Sequence, residues 1–310
     1  MAAADWRTAS LIASIRRRGN APSSSSGWND ADFLAALNEE LRSYVVPLIR
    51  RINEEYLVAY TDVSVVAGTA RYRIPAAALG ESLRDVGFLD PSTGEFLPLE
   101  RVDPGNRSVI GGYYLENEDV VLWPAPNTSD TMRLKYIRRP SKLVGDERVL
   151  ERSGGTTTYA AFGDYALDGE TAESILGPLI EAAGMDIVSA RPGFRCIGED
   201  IAVTYATNAF TWTGATSTDA EIGDYLCYAG ESPVPQIPAE AHPLLAQATL
   251  CQYLRASGQP GLSEAEARRA QMEADIIGLF TPRTQEQPHR VVNRYGPGWW
   301  NFRPQRRWRP

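Results

Sequence analysis

The side chains that most often carry chemistry are scarce in this chain. Two histidines (His242, His289), three cysteines (Cys196, Cys227, Cys251) and two lysines (Lys135, Lys142) are the whole supply in 310 residues. An odd number of cysteines without CxxC spacing reads as small core hydrophobes, not as a disulfide framework or a zinc site. No cysteine or histidine stands at ligand spacing from another, so no metal is expected. A Schiff-base or phosphate-loop lysine has almost no candidate. The patterns GxxxxGK[ST], GxGxxG after a strand, GxSxG and HExxH are all absent. Asp30 and Asp32 have the chemistry to hold a hard cation, but beside a helix start they serve more simply as caps. His242 precedes Pro243 at a helix start, and His289 stands alone in an extended stretch. These residues point to a protein that is not an enzyme and needs no cofactor.

Recognition chemistry is concentrated at the end of the chain instead. Arg283, Arg290, Arg294, Arg303, Arg306, Arg307 and Arg309 interleave with Trp299, Trp300, Phe302 and Trp308. Seven arginines against the single acid Glu286 give residues 283–310 a formal +6, in a chain whose total is −8, so the remainder carries −14. Arginine with aromatics suits single-stranded nucleic acid, through stacking and phosphate contact. Tryptophan and arginine are also the residues most enriched at protein–protein hot spots. Five prolines from Pro282 onward and the acidic body favour a protein-docking arm. The arm is expected to be loose in the free subunit and ordered only against a partner, anchored at its aromatic positions. A nucleic-acid-binding protein working through this arm is the alternative.

The elements that must carry the arm read as α+β. A short helix over 5–18 has Asp5 as its cap, an apolar stripe of Leu11, Ile12 and Ile15, and Gly19 at its end. After a serine-rich linker, the strongest helical signal runs from Asn29 or Asp30 to Tyr56. Phe33, Leu37, Leu41, Tyr44, Val45, Leu48, Ile49 and Ile52 recur there at spacings of three and four. Pro47 should kink or split that helix. From Leu57 to about Arg139 strands and turns follow: a hairpin over Val58–Val66 and Ala70–Ile74, a second around Asp90–Gly94, then Tyr113–Leu115, Val120–Trp123 and Met132–Ile137. They predict one antiparallel sheet packed on the long helix. Residues 145–232 read as an inserted β-rich module, with a short helix over Thr171–Ala183 and strands near 187–189, 201–205, 210–213 and 225–228. Its aromatics (Tyr159, Phe162, Tyr165, Tyr205, Phe210, Trp212) allow a carbohydrate-binding or enzymatic tail component, and core packing explains them equally well. Residues 233–282 return to helix, Ala239–Ala256 and then a helix opened by a Ser263/Glu266 capping box. The organisation expected is therefore a core over 1–144, the module over 145–232, closing helices over 233–282 and the arm over 283–310. No run of about 18 apolar residues occurs, and Arg16, Arg17 and Arg18 follow the first apolar residues instead of preceding them, unlike a signal peptide. A soluble protein made in a cytoplasm is expected.

The order of parts resembles a known family. LIASIRRRGNAP (11–22), then a linker, then WNDADFLAALNEELRSYVVPLIRRINEEYLVAY (28–60) resemble the opening of tailed-phage head-to-tail adaptor (connector) proteins. GESPVPQIPAEAHPLLAQATLCQYLRASG (230–258) and LFTPRTQEQPHRVVNR (279–294) are similar to that family's closing parts. The resemblance implies a structural virion protein of the phage neck. It implies a homo-oligomeric ring, commonly of twelve copies, between the portal protein and a tail or nozzle protein. The helices would form the ring body and subunit contacts, the arm, Arg283–Pro310, would dock on the portal, and the β-rich part would face the tail. Genomic DNA would pass through the channel without sequence recognition, which an acidic wall favours by repulsion. Residues 145–230 have no counterpart in the smallest adaptors.

Overall fold

Asn29 sets the start of the main helix for a local reason. Its side chain accepts the Asp32 N–H at 2.9 Å, while the Asp32 carboxylate accepts the Asn29 N–H at 2.8 Å, closing a capping box. In the computed structural model of the chain, the residues described are 6–21, 27–103, 105, 111–154, 158–161, 184–191, 193–201, 203–206, 209–212 and 220–281. Residues 1–280 form one compact unit. Helix α1 spans Thr8–Gly19, and Asn20 ends it in the left-handed region at φ 46°. Asp5, the expected cap, lies outside the described residues.

Helix α2 spans Asp30–Glu40, a π turn follows over Leu41–Val45, and α3 spans Val46–Ile52. The π turn is how the chain accommodates Pro47. In a straight α-helix the proline ring would meet the carbonyl of Ser43. Here the Val46 N–H reaches back five residues to the Leu41 carbonyl instead. The apolar side of the helix survives the change, since Phe33, Leu37, Leu41, Val45, Leu48 and Ile49 are all buried. The helix stops at Ile52 and not at Tyr56, because Asn53 turns extended and its side chain accepts the Glu55 N–H at 3.0 Å.

Strands β1 (Val58–Val65), β2 (Arg71–Arg73), β3 (Ala78–Leu89), β4 (Phe96–Pro98), β5 (Gly112–Glu116), β6 (Asp119–Trp123) and β7 (Asp130–Arg138) come next. The Asp90–Gly94 turn forms as expected. Asp90 accepts the N–H groups of Ser92 and Thr93, and Gly94 takes φ 70°. The first expected hairpin does not form. β1 pairs with β7 in the sheet β1-β7-β3-β4, while β2 pairs with β6 in a separate sheet, β2-β6-β5. The turn at Ala67–Thr69 is real, but the Tyr72 hydroxyl bonds Val66 and Thr69 across it, and the chain crosses to the other sheet. The expectation of a single sheet lying on the long helix is likewise corrected. Val65, Val86, Met132, Leu134 and Tyr136 from one sheet and Tyr72, Tyr113, Val120 and Leu122 from the other share one buried cluster, so the two sheets cover each other.

Beyond β8 (Lys142–Leu143), strands β9 (Leu150–Gly154), β10 (Thr158–Ala161), β11 (Met185–Val188) and β12 (Cys196–Ile201) follow. β13 (Val203–Ala206) and β14 (Ala209–Trp212) make a separate hairpin, then come β15 (Tyr225–Tyr228) and β16 (Glu231–Ser232). They form an antiparallel sheet in the order β10-β9-β15-β11-β12. β8 and β16 lie side by side and parallel, with Lys142 N–H on the Gly230 carbonyl and Val144 N–H on that of Ser232, so the chain leaves and re-enters at one place. The expected helix over Thr171–Ala183 lies outside the described residues.

Helices α4 (His242–Ser257) and α5 (Leu262–Phe280) close the fold. α5 starts one residue before Ser263, which therefore sits in its first turn. α4 is buried on nearly every side, as a central helix must be, and α1, α2 and α5 surround it. Gly19 lets α1 approach it, because a Cβ there would come within 2.8 Å of the Leu250 side chain. Helices from residues 8–52 and 242–280 thus share one helical core.

Candidate functional site

None of the eleven arm residues singled out in the sequence, Arg283 through Arg309, falls within the described residues. What the structure does bring together is a set of polar groups that no sequence spacing announced. A cavity of about 840 Å³ opens between β1 and β12, lined by Tyr56, Tyr60, Thr61, Arg138, Arg195, Cys196, Glu199 and Gln236. Both strands are edges of their sheets among the described residues.

At its floor, Arg138 from the end of β7 forms ion pairs with Glu199 of β12 and, at 3.6 Å, with Asp186 of β11. Asp186 is 3% exposed and accepts the N–H groups of Asp200 and Gly230, each at 2.9 Å. The Tyr136 hydroxyl donates to Glu199 at 2.8 Å and lies 3.1 Å from the Thr61 hydroxyl. Burial raises the Asp186 carboxyl, and the two N–H donors and Arg138 pull it back without cancelling that effect. Burial lowers Arg138, but Cys196, Glu199 and Asp186 outweigh it and hold the guanidinium above its usual range. The two directions agree physically, since Asp186 meets one cation while Arg138 meets more than one anion.

Burial pushes the Cys196 thiol up to about 12 and the Tyr136 phenol up to about 12. Both therefore stay protonated near neutrality, the opposite of what an activated nucleophile needs. The arrangement ties β1 and β7 to β11 and β12 through charge and hydrogen bonds. Beside it, Gln236 accepts the Ser141 N–H at 3.1 Å, while its amide nitrogen finds no acceptor among the described residues.

His242 is fully buried between Trp6, whose ring stacks at 5.1 Å, and Phe194, which meets it edge-on at 5.3 Å. Its ring nitrogens lie 3.0 and 3.1 Å from the carbonyls of Pro235 and Ala239. Burial lowers its pKa, and the carbonyls of Ala239, Pro235 and Pro238 oppose that. It is a wedge that closes α4 against the start of the chain. Cys227 and Cys251 are buried and free, matching the reading of the cysteines as core residues. Among the described residues no group of three His, Cys, Asp or Glu side chains is placed to hold a metal ion. No helix among them is long and apolar enough to cross a membrane. A second cleft, of about 600 Å³, lies where α3 meets the start of β3 and the end of β7, rimmed by Arg42, Arg50, Arg51 and Arg139.

The described groups thus offer binding surfaces and internal fasteners. No curated protein matches the sequence. The family model described as SU10 adaptor protein matches residues 7–164, about half of the chain. That stretch runs from the start of α1 through both faces of the β-sandwich and on through β8, β9 and β10, so it takes in the opening of the 145–232 segment. The segments at 230–258 and 279–294 lie beyond it.

Proposed function

The chain belongs to the SU10 adaptor protein family, phage head–tail adaptors, and on that premise we propose that it forms the ring joining the portal to the tail. Membership makes it a phage structural adaptor, a virion component from a class not normally enzymatic, which meets other virion parts. The proposal goes further. Twelve copies form the ring, the helical core with its sandwich (1–144 and 233–282) is the ring body, and DNA passes along the channel unread. The observation that carries this reading is the family match over α1–α3 and the sandwich.

The arm, 283–310, is the portal-docking element, with Trp299, Trp300, Phe302 and Trp308 as anchors and the arginines as charge-assisted donors. Residues 145–232 are an inserted module facing the tail. The adjacent departure and return of the chain at β8 and β16 support an insertion.

Light scattering on full-length protein and on a version ending at Pro282, each alone and with the portal, tests the proposal. Ring-sized complexes that need the arm to form on portal are expected. A persistent monomer that ignores the portal would overturn the ring and the docking role together, and would turn attention to nucleic-acid binding through the arm. A filter-binding titration then decides that alternative, which requires steep salt dependence.

A further inference from the structure

Across the strands, arginines sit on carboxylates, as Arg133 does on Asp62 and Arg71 on Glu116. The cleft between α3 and the sandwich departs from this pattern. Arg42, Arg50 and Arg139 face it without an ion pair to any described residue. Arg51 reaches Glu273 only at 3.7 Å and stays 70% exposed. Glu54 is the one acid on the rim. Four guanidinium groups gathered around one acid repel each other, and in a chain of net charge −8 the arrangement is conspicuous. The floor is apolar, made of Val46, Pro47, Leu79 and Pro140. The cleft therefore fits an apolar wedge flanked by carboxylates.

The same chain carries such a wedge. Leu79, at the cleft, is the second residue of β3, and the β3–β4 turn begins at Asp90, past the strand's other end. β3 bulges between Ala78 and Asp85, so Ala78 to Phe88 lie along only Arg138 to Met132 of β7, and the cleft and the turn stand about 25 Å apart. At that far tip Asp90 and Glu95 have no ion pair among the described residues; Glu100 follows further back beyond β4, and the nearby Lys135 ammonium is turned onto the Phe96 ring, 3.8 Å from its centre. The Ser92 hydroxyl and the N–H groups of Ser92 and Thr93 hold Asp90 below its usual range, which keeps it charged. Leu97 protrudes among these acids, 49% exposed. Wedge and cleft cannot meet within one molecule, since one strand holds them apart.

We propose that the acidic β3–β4 tip of one copy seats in the arginine cleft of the next, a head-to-tail contact of the kind that closes a ring. This rests on the ring reading and names the surfaces that make it. The phosphates of DNA would also suit the arginines, but they offer nothing to the apolar floor, whereas the tip offers Leu97 and Pro98.

The test uses full-length protein with two charge-reversed forms: a cleft variant, Arg42→Glu with Arg50→Glu, and a tip variant, Glu95→Arg with Glu100→Arg. Arg42, Glu95 and Glu100 are exposed and Arg50 is half-buried without an ion pair among the described residues, so each variant should still fold, and a thermal melt of each checks this. Under conditions where wild type forms its ring, alone or on portal, light scattering should show each variant assembling at least tenfold more weakly. Mixed in equal amounts they should recover, because each cleft now faces a tip of opposite sign. A cleft variant that assembles like wild type overturns the contact, as does a pair that fails to recover on mixing. Normal assembly with loss of duplex DNA binding by the cleft variant would assign the cleft to phosphate and overturn it too. A wild type that never assembles overturns the ring reading, and this contact with it.

Discussion

Removing the Asp186 carboxylate should be among the costliest single changes in the chain. Asp186→Ala deletes the acceptor of two N–H groups, Asp200 and Gly230, each bonded at 2.9 Å. Hydrogen bonds to a charged group contribute about 1.5–3 kcal/mol each. The change also leaves Arg138, whose side chain is 13% exposed, with Glu199 alone. Part of the loss is offset, because a carboxyl raised by burial is costly to keep ionised. The net expected is about 3–5 kcal/mol, as for breaking a buried pair. Asp186→Asn, which keeps one oxygen, should cost about half as much. Arg138→Met leaves two acids facing each other and should cost a similar amount to Asp186→Ala. The double variant should then lose at least ~1 kcal/mol less than the sum of the two. Urea unfolding followed by fluorescence gives the totals, and amide exchange at Asp200 and Gly230 gives the local opening. A cost for Asp186→Ala below ~1 kcal/mol, with the two single changes simply additive, would mean that Asp186 and Arg138 do not act as a buried pair.

Further outcomes follow from single sites. Cys196, with its thiol at about 12 against an ordinary 9.0, should react with iodoacetamide at pH 8 about a thousandfold more slowly than a free thiol, unless urea is added. Since burial lowers His242 in the folded state, the unfolded chain takes up a proton first as pH falls below 6.5. Stability tied to His242 is thus fully present above that pH and is lost on acidification, by at most ~1.4 kcal/mol per unit. The difference between wild type and His242→Gln in melts from pH 7.5 to 5 isolates it, and a constant difference would contradict the assignment. Phe33→Ala, at a side chain with no exposure packed on Trp28 and Tyr253, should cost about 3–5 kcal/mol in denaturant unfolding. Gly87→Ala should unseat β4 and weaken assembly measured by light scattering, because its Cβ would stand 2.4 Å from the Leu97 carbonyl.

The sequence made some of this architecture legible because the determinants are local. The helix start at Asn29 or Asp30, the three-and-four spacing of the main helix and the Asp90–Gly94 turn each rest on determinants within a few residues, and each forms. The all-round apolar character of Leu244–Leu254 likewise matches a central helix. Pro47 announced a break, but only packing selects a π turn that keeps Leu41 and Val45 inward. The turn at Ala67–Thr69 announced a reversal, not which sheet the chain would join next, and Tyr72 decides that through contacts made after folding. The network of Arg138, Asp186 and Glu199 joins three strands of distant sequence, and the arginine cleft joins α3 to residues 79 and 139–140. No spacing rule reaches that far. The Arg/Trp arm reads as a binding segment from composition alone, and it lies outside the described residues.

An adaptor ring has one place in the particle, and immunogold labelling of intact virions carrying this chain locates it. Gold at the single vertex where head meets tail, present on heads with their neck and missing from isolated tail ends, is the predicted result. Absence of the chain from purified particles, or label elsewhere on them, would contradict it.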